Sequence, residues 1–321
     1  MDSTFVVGID VGGQTSKLGV VDARGAVLAQ TVIRTDTYSE VEPYIAELAE
    51  AVKKIIRESG TEGKVRGIGV GAPNGNYYTG TIENAPNLLW GRQRVEFAKL
   101  LSEAMDGLPV ALTNDANAAA VGEMTYGAAR GMKNFIMITL GTGVGSGIVI
   151  NGQLVYGHDG FAGELGHVTM VRGKEGRACG CGRTGCLETY CSATGVARTA
   201  REVLAQTDRP SLLRGKPAEE IESLDVSIAA GKGDEVANEI FRFTGKMLGE
   251  ACADFTGFSS PEAFIFFGGL CKAGDLIMKP IEEAYNQHVM PIFRGKAKFL
   301  VSGLMDANAA VLGASALGWS E

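Results

Sequence analysis

Two stretches of this chain repeat one layout. "FVVGIDVGGQTSKLGVVDARGAVL" (5–28) and "NFIMITLGTGVGSGIVINGQLV" (134–155) each run from an apolar strand through a glycine-rich tight turn into a second apolar strand. A supersecondary unit that recurs predicts a duplicated fold, and 321 residues leave room for two cores. After the first unit, residues 42–58 place Ile45, Leu48, Ala49, Val52, Ile55 and Ile56 at the spacing of an amphipathic helix. "VRGIGVGAP" then reads as a buried strand, "VEFAKLLSEAM" as a helix and "PVALTND" as a strand. The second unit is followed by helical patterns over 192–206 and 234–256, the strand "EAFIFFGG", the helix "DLIMKPIEEAYNQHV", the strand "AKFLVSG" and a closing helix "ANAAVLGASALGW". This is α/β alternation. No Pro- or Ser-rich linker divides it, so the domain boundary is placed near Asp115, where the pattern restarts.

Charge and composition narrow the partners. The formal charge is −7, from 37 acidic and 30 basic residues, which argues against a nucleic-acid surface, since such surfaces show a basic excess. Gly at 45 of 321 is about twice the usual share of roughly 7%. The glycines sit in short motifs between apolar runs, so they serve backbone geometry. "MDST" leads directly into "FVVGID" with no basic n-region or cleavage site. No run approaches the ~20 apolar residues of a membrane span. A soluble, cytoplasmic protein is expected, with its thiols reduced.

The turns are candidate phosphate sites. Asp10 ends a strand before Gly12 and Gly13, and glycines recur at 141, 143, 145 and 147 around Thr142. Such turns expose successive N–H groups and admit a phosphate where a Cβ would obstruct it. Either turn alone is equally a tight hairpin. Neither matches GxxxxGK[ST] or GxGxxG spacing, which disfavours P-loop and Rossmann readings. A strand-terminal Asp beside such a turn suits Mg²⁺, held through water.

Acids supply the other candidates. Asn114 and Asp115 stand at a strand end before a helical run; capping is the commonest use of such a pair, and the functional alternative makes Asp115 a general base and Asn114 a substrate ligand. Glu164 and His167 are three apart, on one face if helical, and Glu188 follows two residues after a cysteine cluster. Within that cluster, "CGCGRTGC", the one-residue gap from Cys179 to Cys181 fits disulfide geometry poorly. His167, Cys179, Cys181 and Cys186 together offer one imidazole and three thiolates, the donor set of a closed structural zinc site. The bland alternative is buried thiols in a glycine loop. Gly180, Gly182 and Gly185 would let the chain wrap an ion, and Cys252 and Cys271 belong to the core.

In order along the chain, "DVGGQTSKLG", "NDANAAAVGE", "LGTGVGSG", "GELGH", "CGCGRTGCLE" and "FGGLCKAGD" resemble the ROK family (repressor, open reading frame, kinase) and most of all its glucokinase-like members. The resemblance implies an actin-like ATPase (ribonuclease H-like) α/β fold, duplicated, with two domains and an interdomain cleft. Residues 1–115 with 304–321 would form the smaller domain and 116–303 the larger one with its zinc loop. It implies Asp115 as catalytic base, with Asn87, Asn114, Glu164, His167 and Glu188 at the sugar. Asp10, Gly12, Gly13, Gln14, Thr15, Gly141, Thr142 and Gly143 would serve the phosphates, Gly268 and Gly269 the adenosine, and His167, Cys179, Cys181 and Cys186 a structural Zn²⁺. Gln14 stands where the family usually has Thr, which leaves the turn's backbone donors intact.

The expected activity is ATP- and Mg²⁺-dependent phosphorylation of a hexose, glucose first, with mannose, fructose, N-acetylglucosamine and N-acetylmannosamine as alternatives. A sugar-binding regulator without catalysis is the rival class. A homodimer is expected from the resemblance, with neither nucleic acid nor membrane as partner.

Overall fold

The computed structural model describes residues 4–304 and 308–319. Within it the repeated layout becomes two sheets of the same topology. In the first unit β1 (Phe5–Val11), β2 (Thr15–Asp22) and β3 (Val27–Arg34) form an antiparallel meander. After helix α1 (Val41–Glu58), strand β4 (Val65–Gly71) adds parallel to β1. A short hairpin, β5 (Gly75–Asn76) and β6 (Thr81–Ile82), and helix α2 (Phe97–Ala104) lead to β7 (Val110–Thr113), parallel to β4. The order is β3-β2-β1-β4-β7.

Helix α3 (Asp115–Tyr126) carries the chain into the second unit. There β8 (Phe135–Leu140), β9 (Val144–Ile150) and β10 (Gln153–Leu154) repeat the meander. Helices α4 (Glu188–Cys191), α5 (Ala193–Gln206), α6 (Ser223–Gly231) and α7 (Glu235–Ser259) precede β11 (Ala263–Phe267); α8 (Asp275–His288) precedes β12 (Lys298–Val301). Both strands run parallel to β8, in the order β10-β9-β8-β11-β12. The duplication and the α/β class expected from the sequence are both present.

Each sheet buries one face under its own helices. In the first lobe α1 packs Tyr44, Leu48, Val52 and Ile55 over β1, β2 and β4, and Tyr44 stacks on Trp90 with centroids 5.0 Å apart. In the second, α5, α6, α7 and α8 enclose a core that includes Cys191, Cys252 and Cys271. Cys191 ends the short helix α4.

The opposite faces meet α3 and the closing helix α9 (Ala309–Leu317). The expected helix began at Ala307, which lies outside the described residues. Helix α9 lies flush on the first sheet because the strands present glycine to it. A Cβ on Gly8 would run into the carbonyl oxygen of Val311, and one on Gly69 into that of Ala314. Where α3 crosses α9, a Cβ on Gly122 would come within 2.7 Å of Gly313 Cα.

One buried carboxylate ties the two chain crossings together. Glu123 of α3 is 1% exposed. It accepts hydrogen bonds from Ala128 N (2.7 Å), from Gly303 N (3.2 Å) and from the Ser302 hydroxyl. The end of α3 and the link from β12 to α9 are thereby fixed to each other. No helix among the described residues is long and apolar enough to cross a membrane.

Candidate functional site

A cavity of about 510 Å³ opens between the sheets, at the ends of β1, β7 and β8. Asp10, Asn87, Asp115, Gly141, Thr142, Gly143, Glu188 and Gly268 all line it. Gly12, Gly13, Gln14 and Thr15 make the β1–β2 turn and are not among its lining residues, nor are Asn114, Glu164, His167 and Gly269. The turn nevertheless backs onto the cavity wall: a Cβ on Gly13 would come within 2.8 Å of the Asn87 carbonyl oxygen. The Gln14 carbonyl accepts from Thr35 N at 2.9 Å, so the departure at this position falls on a backbone anchored by β3.

The strand-to-helix step at β7–α3 separates two acidic-looking neighbours into two jobs. Asn114 is the N-cap, its side-chain oxygen accepting from Asn117 N at 2.7 Å. Asp115 is the first helical residue, and its Oδ1 accepts from Ala116 N at 2.8 Å. Asn and Asp cap about equally well, and here the cap is made by Asn114. Asp115 is left facing the cleft, where the crowding walls desolvate its carboxylate and raise its pKa. Asp10 is pushed up to about 6, chiefly by burial and then by the Asp115 charge, with Lys17 opposing.

Glu188 connects three parts of the site. Its Oε2 lies 3.5 Å from Val144 N, just past the 141–143 turn, and a Cβ on Gly143 would approach that oxygen to 2.7 Å. Its Oε1 receives the Cys179 thiol at 3.1 Å and stands 3.8 Å from His167 Nδ1. His167 closes a 3₁₀ turn, Leu165–His167, so the predicted helical spacing holds over one turn only. That still brings its Nε2 to 4.0 Å from Glu164 Oε2. Glu164 has a raised pKa, from burial first and from the Asp115 and Glu188 charges, with His167 opposing.

The second glycine turn is fastened from behind. Ala193 N donates to Gly141 O (2.8 Å) and Thr194 Oγ1 to Thr142 O (2.8 Å), at the start of α5. Gly268 follows β11 with φ +117°, and a Cβ there would strike the Leu140 carbonyl. No other residue suits that crossing.

The imidazole of His167 and the thiols of Cys179, Cys181 and Cys186 converge, with all four donor atoms within 4.8 Å of one another. Cys181 Sγ and Cys186 Sγ are 3.7 Å apart, and Cys179 Sγ and His167 Nδ1 are 3.6 Å apart. A tetrahedron with Zn–S bonds of 2.3 Å has an edge of about 3.8 Å, so the spacing fits a zinc ion. Gly182 (φ +85°) and Gly185 (φ +76°) make the loop's turns, while Gly180, expected to help, does not adopt a positive φ. Arg177, 7% exposed, anchors the loop. Its guanidinium lies 4.5 Å over Tyr190 and donates to Thr189 O (2.8 Å) and Thr199 Oγ1 (3.0 Å). Arg177 carries no sequence signal beyond a lone charge, and Glu123, which closes the "NDANAAAVGE" motif, carries none for the segment it binds.

The profile of the ROK family matches residues 6–320. A glucokinase of Halalkalibacterium halodurans is 37% identical, over 99% of this chain and 95% of that protein. The crystal structure of a ROK family glucokinase from Streptomyces griseus, in complex with glucose and AMPPNP, superposes with TM-score 0.79 at 33% identity, covering 99% of this chain and all of that one. A ROK hexokinase from Thermus thermophilus gives TM-score 0.82 at 30% identity over 99% and 98% of the two chains.

Proposed function

The chain belongs to the ROK family, and from that premise we propose that it is an ATP-dependent hexose kinase of glucokinase type, passing the γ-phosphoryl group to the 6-hydroxyl of glucose. The observation that carries this reading is that Asp115 of one lobe and Glu188 of the other line one cavity with the 141–143 glycine turn, with His167 standing 3.8 Å from Glu188 and 4.0 Å from Glu164 at its edge.

Asp115 receives the proton of the attacking hydroxyl. Its raised pKa brings the carboxylate closer to the basicity that such a transfer uses. The Asn114 side-chain oxygen is spent on the helix cap, so its amide nitrogen is the group that donates to a sugar hydroxyl. Glu164, Glu188 and the His167 Nε2 hold the remaining ring hydroxyls, and Asn87 lines the same cleft. Glu188 sits where sugar and phosphate meet. The amides of Gly13, Thr142 and Gly143 face the phosphates, while Gly12 N donates to Thr15 O and Gly141 N to Gly143 O, at 3.1 Å each, and so hold the two turns in shape; Gly268 and Gly269 border the adenosine. Preorganised donors of this kind stabilise the charge of a transferring phosphoryl group. Asp10 would hold Mg²⁺ through water, and the ion would neutralise part of the triphosphate charge.

His167 through Nδ1, with Cys179, Cys181 and Cys186, would hold a structural zinc that cross-links the loop. Held there, the loop would keep Glu164 and Glu188 aimed at one sugar, and the site would take no part in the transfer.

The test is ADP release from ATP with glucose, mannose, fructose, N-acetylglucosamine and N-acetylmannosamine. Glucose should give the highest kcat/KM. ADP release that none of the five sugars stimulates would refute the kinase reading in favour of a sugar-binding regulator.

A further inference from the structure

The lobes also meet at a seam that the chemistry above does not use. Tyr77 and Tyr78 sit on the loop of the β5–β6 hairpin, in the first lobe, and Tyr156 follows β10 in the second. Tyr77 and Tyr156 stack with centroids 4.3 Å apart and planes 2° from parallel, and Tyr78 meets Tyr156 edge-on at 5.8 Å. Asn76 Nδ2 donates to Asp159 O at 2.7 Å, and the Tyr78 hydroxyl donates to Gly157 O at 2.9 Å. The hairpin also presses on the strand that leads to the site: a Cβ on Gly75 would come within 2.5 Å of the Thr113 carbonyl oxygen, and the Thr113 hydroxyl accepts from Asn117 Nδ2 at 3.2 Å.

The seam's position along the chain gives it meaning. Thr113 directly precedes Asn114 and Asp115, and Asp159 lies only a few residues before Glu164. Each half of the hexose site is therefore suspended from one side of this seam. Stacking, unlike a disulfide, is reversible, and its strength suits biasing a closure equilibrium without locking it.

We infer that the Tyr77–Tyr156 stack is a positioning clasp that sets the register of the two halves of the hexose site. It brings Asn114 and Asp115 of one lobe and Glu164 and His167 of the other to the same ring. This rests on the hexose-kinase reading for its ligand, and on the interlobe contacts for its geometry. Neither tyrosine touches a reacting atom.

The test compares Tyr77→Ala, which removes the stack, with Tyr77→Phe, which keeps it. Tyr77→Ala should raise KM for glucose about two- to twelvefold, the range of one lost aromatic pair, with kcat and KM for ATP near wild type; Tyr77→Phe should restore the glucose KM. An unchanged glucose KM in Tyr77→Ala would overturn the clasp, as would equal damage in Tyr77→Phe. A second readout needs no turnover. Without sugar, amide hydrogen exchange over 110–114 and 161–167 should rise together in Tyr77→Ala, and unchanged exchange in both segments overturns the clasp whatever the substrate is. A wild-type protein inert toward all five sugars would count against the kinase reading alone.

Discussion

Replacing Asp115 by Asn separates catalysis from folding at one atom. Asn keeps the Oδ1 that accepts from Ala116 N at 2.8 Å, and the helix cap belongs to Asn114, so α3 keeps its start. The lost function is proton acceptance, which typically contributes ~10²–10⁴-fold, or about 2.7–5.4 kcal/mol of barrier at 1.36 kcal/mol per decade. Asp115→Asn should therefore lower kcat by at least ~100-fold in a coupled ADP assay. Its melting temperature at pH 7 should hold or rise, because the amide does not bear the desolvation penalty that burial sets on the ionised carboxylate. A second signature follows from Asp10, whose pKa is raised to about 6 by burial and by the Asp115 charge. A carboxylate needed in its ionised form makes kcat/KM fall as the pH drops through about 6 in the wild type. Removing the neighbouring negative charge lowers the pKa of Asp10, so the acid limb of the residual activity should move to lower pH. Retention of more than about a tenth of wild-type kcat, far above the general-base range, would refute the role of Asp115. An unmoved acid limb would refute the coupling of the two acids.

Cys186→Ala removes one of four donors and should yield protein with less than one zinc per chain by metal analysis, a lower melting temperature and a raised KM for glucose; zinc-free protein with unchanged sugar affinity would exclude the positional role. Gly268→Ala forces a side chain into φ +117° and onto the Leu140 carbonyl, and should cost about 1–3 kcal/mol or more in denaturant unfolding, with KM for ATP rising more than that for sugar. Glu123→Ala leaves the buried Ser302 hydroxyl without its acceptor, at about 1–3 kcal/mol, and frees the half-buried Ala128 N as well; chemical denaturation should show a loss of at least ~1 kcal/mol, and a smaller loss would mean that water replaces the carboxylate.

The sheets were legible because both units write the same period into the sequence: β-branched strands, glycine turns, then a helical repeat. The convergence of His167 with Cys179, Cys181 and Cys186 was legible because donor chemistry and close spacing coincide there. What escaped depends on contacts between remote segments. Ser302 reaches Glu123 across 179 positions and Tyr78 reaches Gly157 across 79, and no local pattern announces either. Helix α6 escaped for another reason: Leu224 and Ile228 stay exposed while Val226, Ala229 and Ala230 are buried, so its apolar residues mark no single face. The pair Asn114–Asp115 was read correctly as a cap site, but which residue caps is decided by where the strand ends, a matter of one residue that composition does not record.

Helix α9 covers Val6 and Val21 of the first sheet, yet it follows every strand of the second sheet in the chain. A ribosome therefore delivers β1, β2 and β4 with one apolar face bare and goes on to make an entire second sheet before the cover emerges. The usual vectorial order, with the earlier unit finished first, is inverted here: the second lobe can complete itself while the first waits. The glycines that let α9 lie flush also make the unfinished face backbone-rich, with few side chains to recruit a wrong partner during that wait.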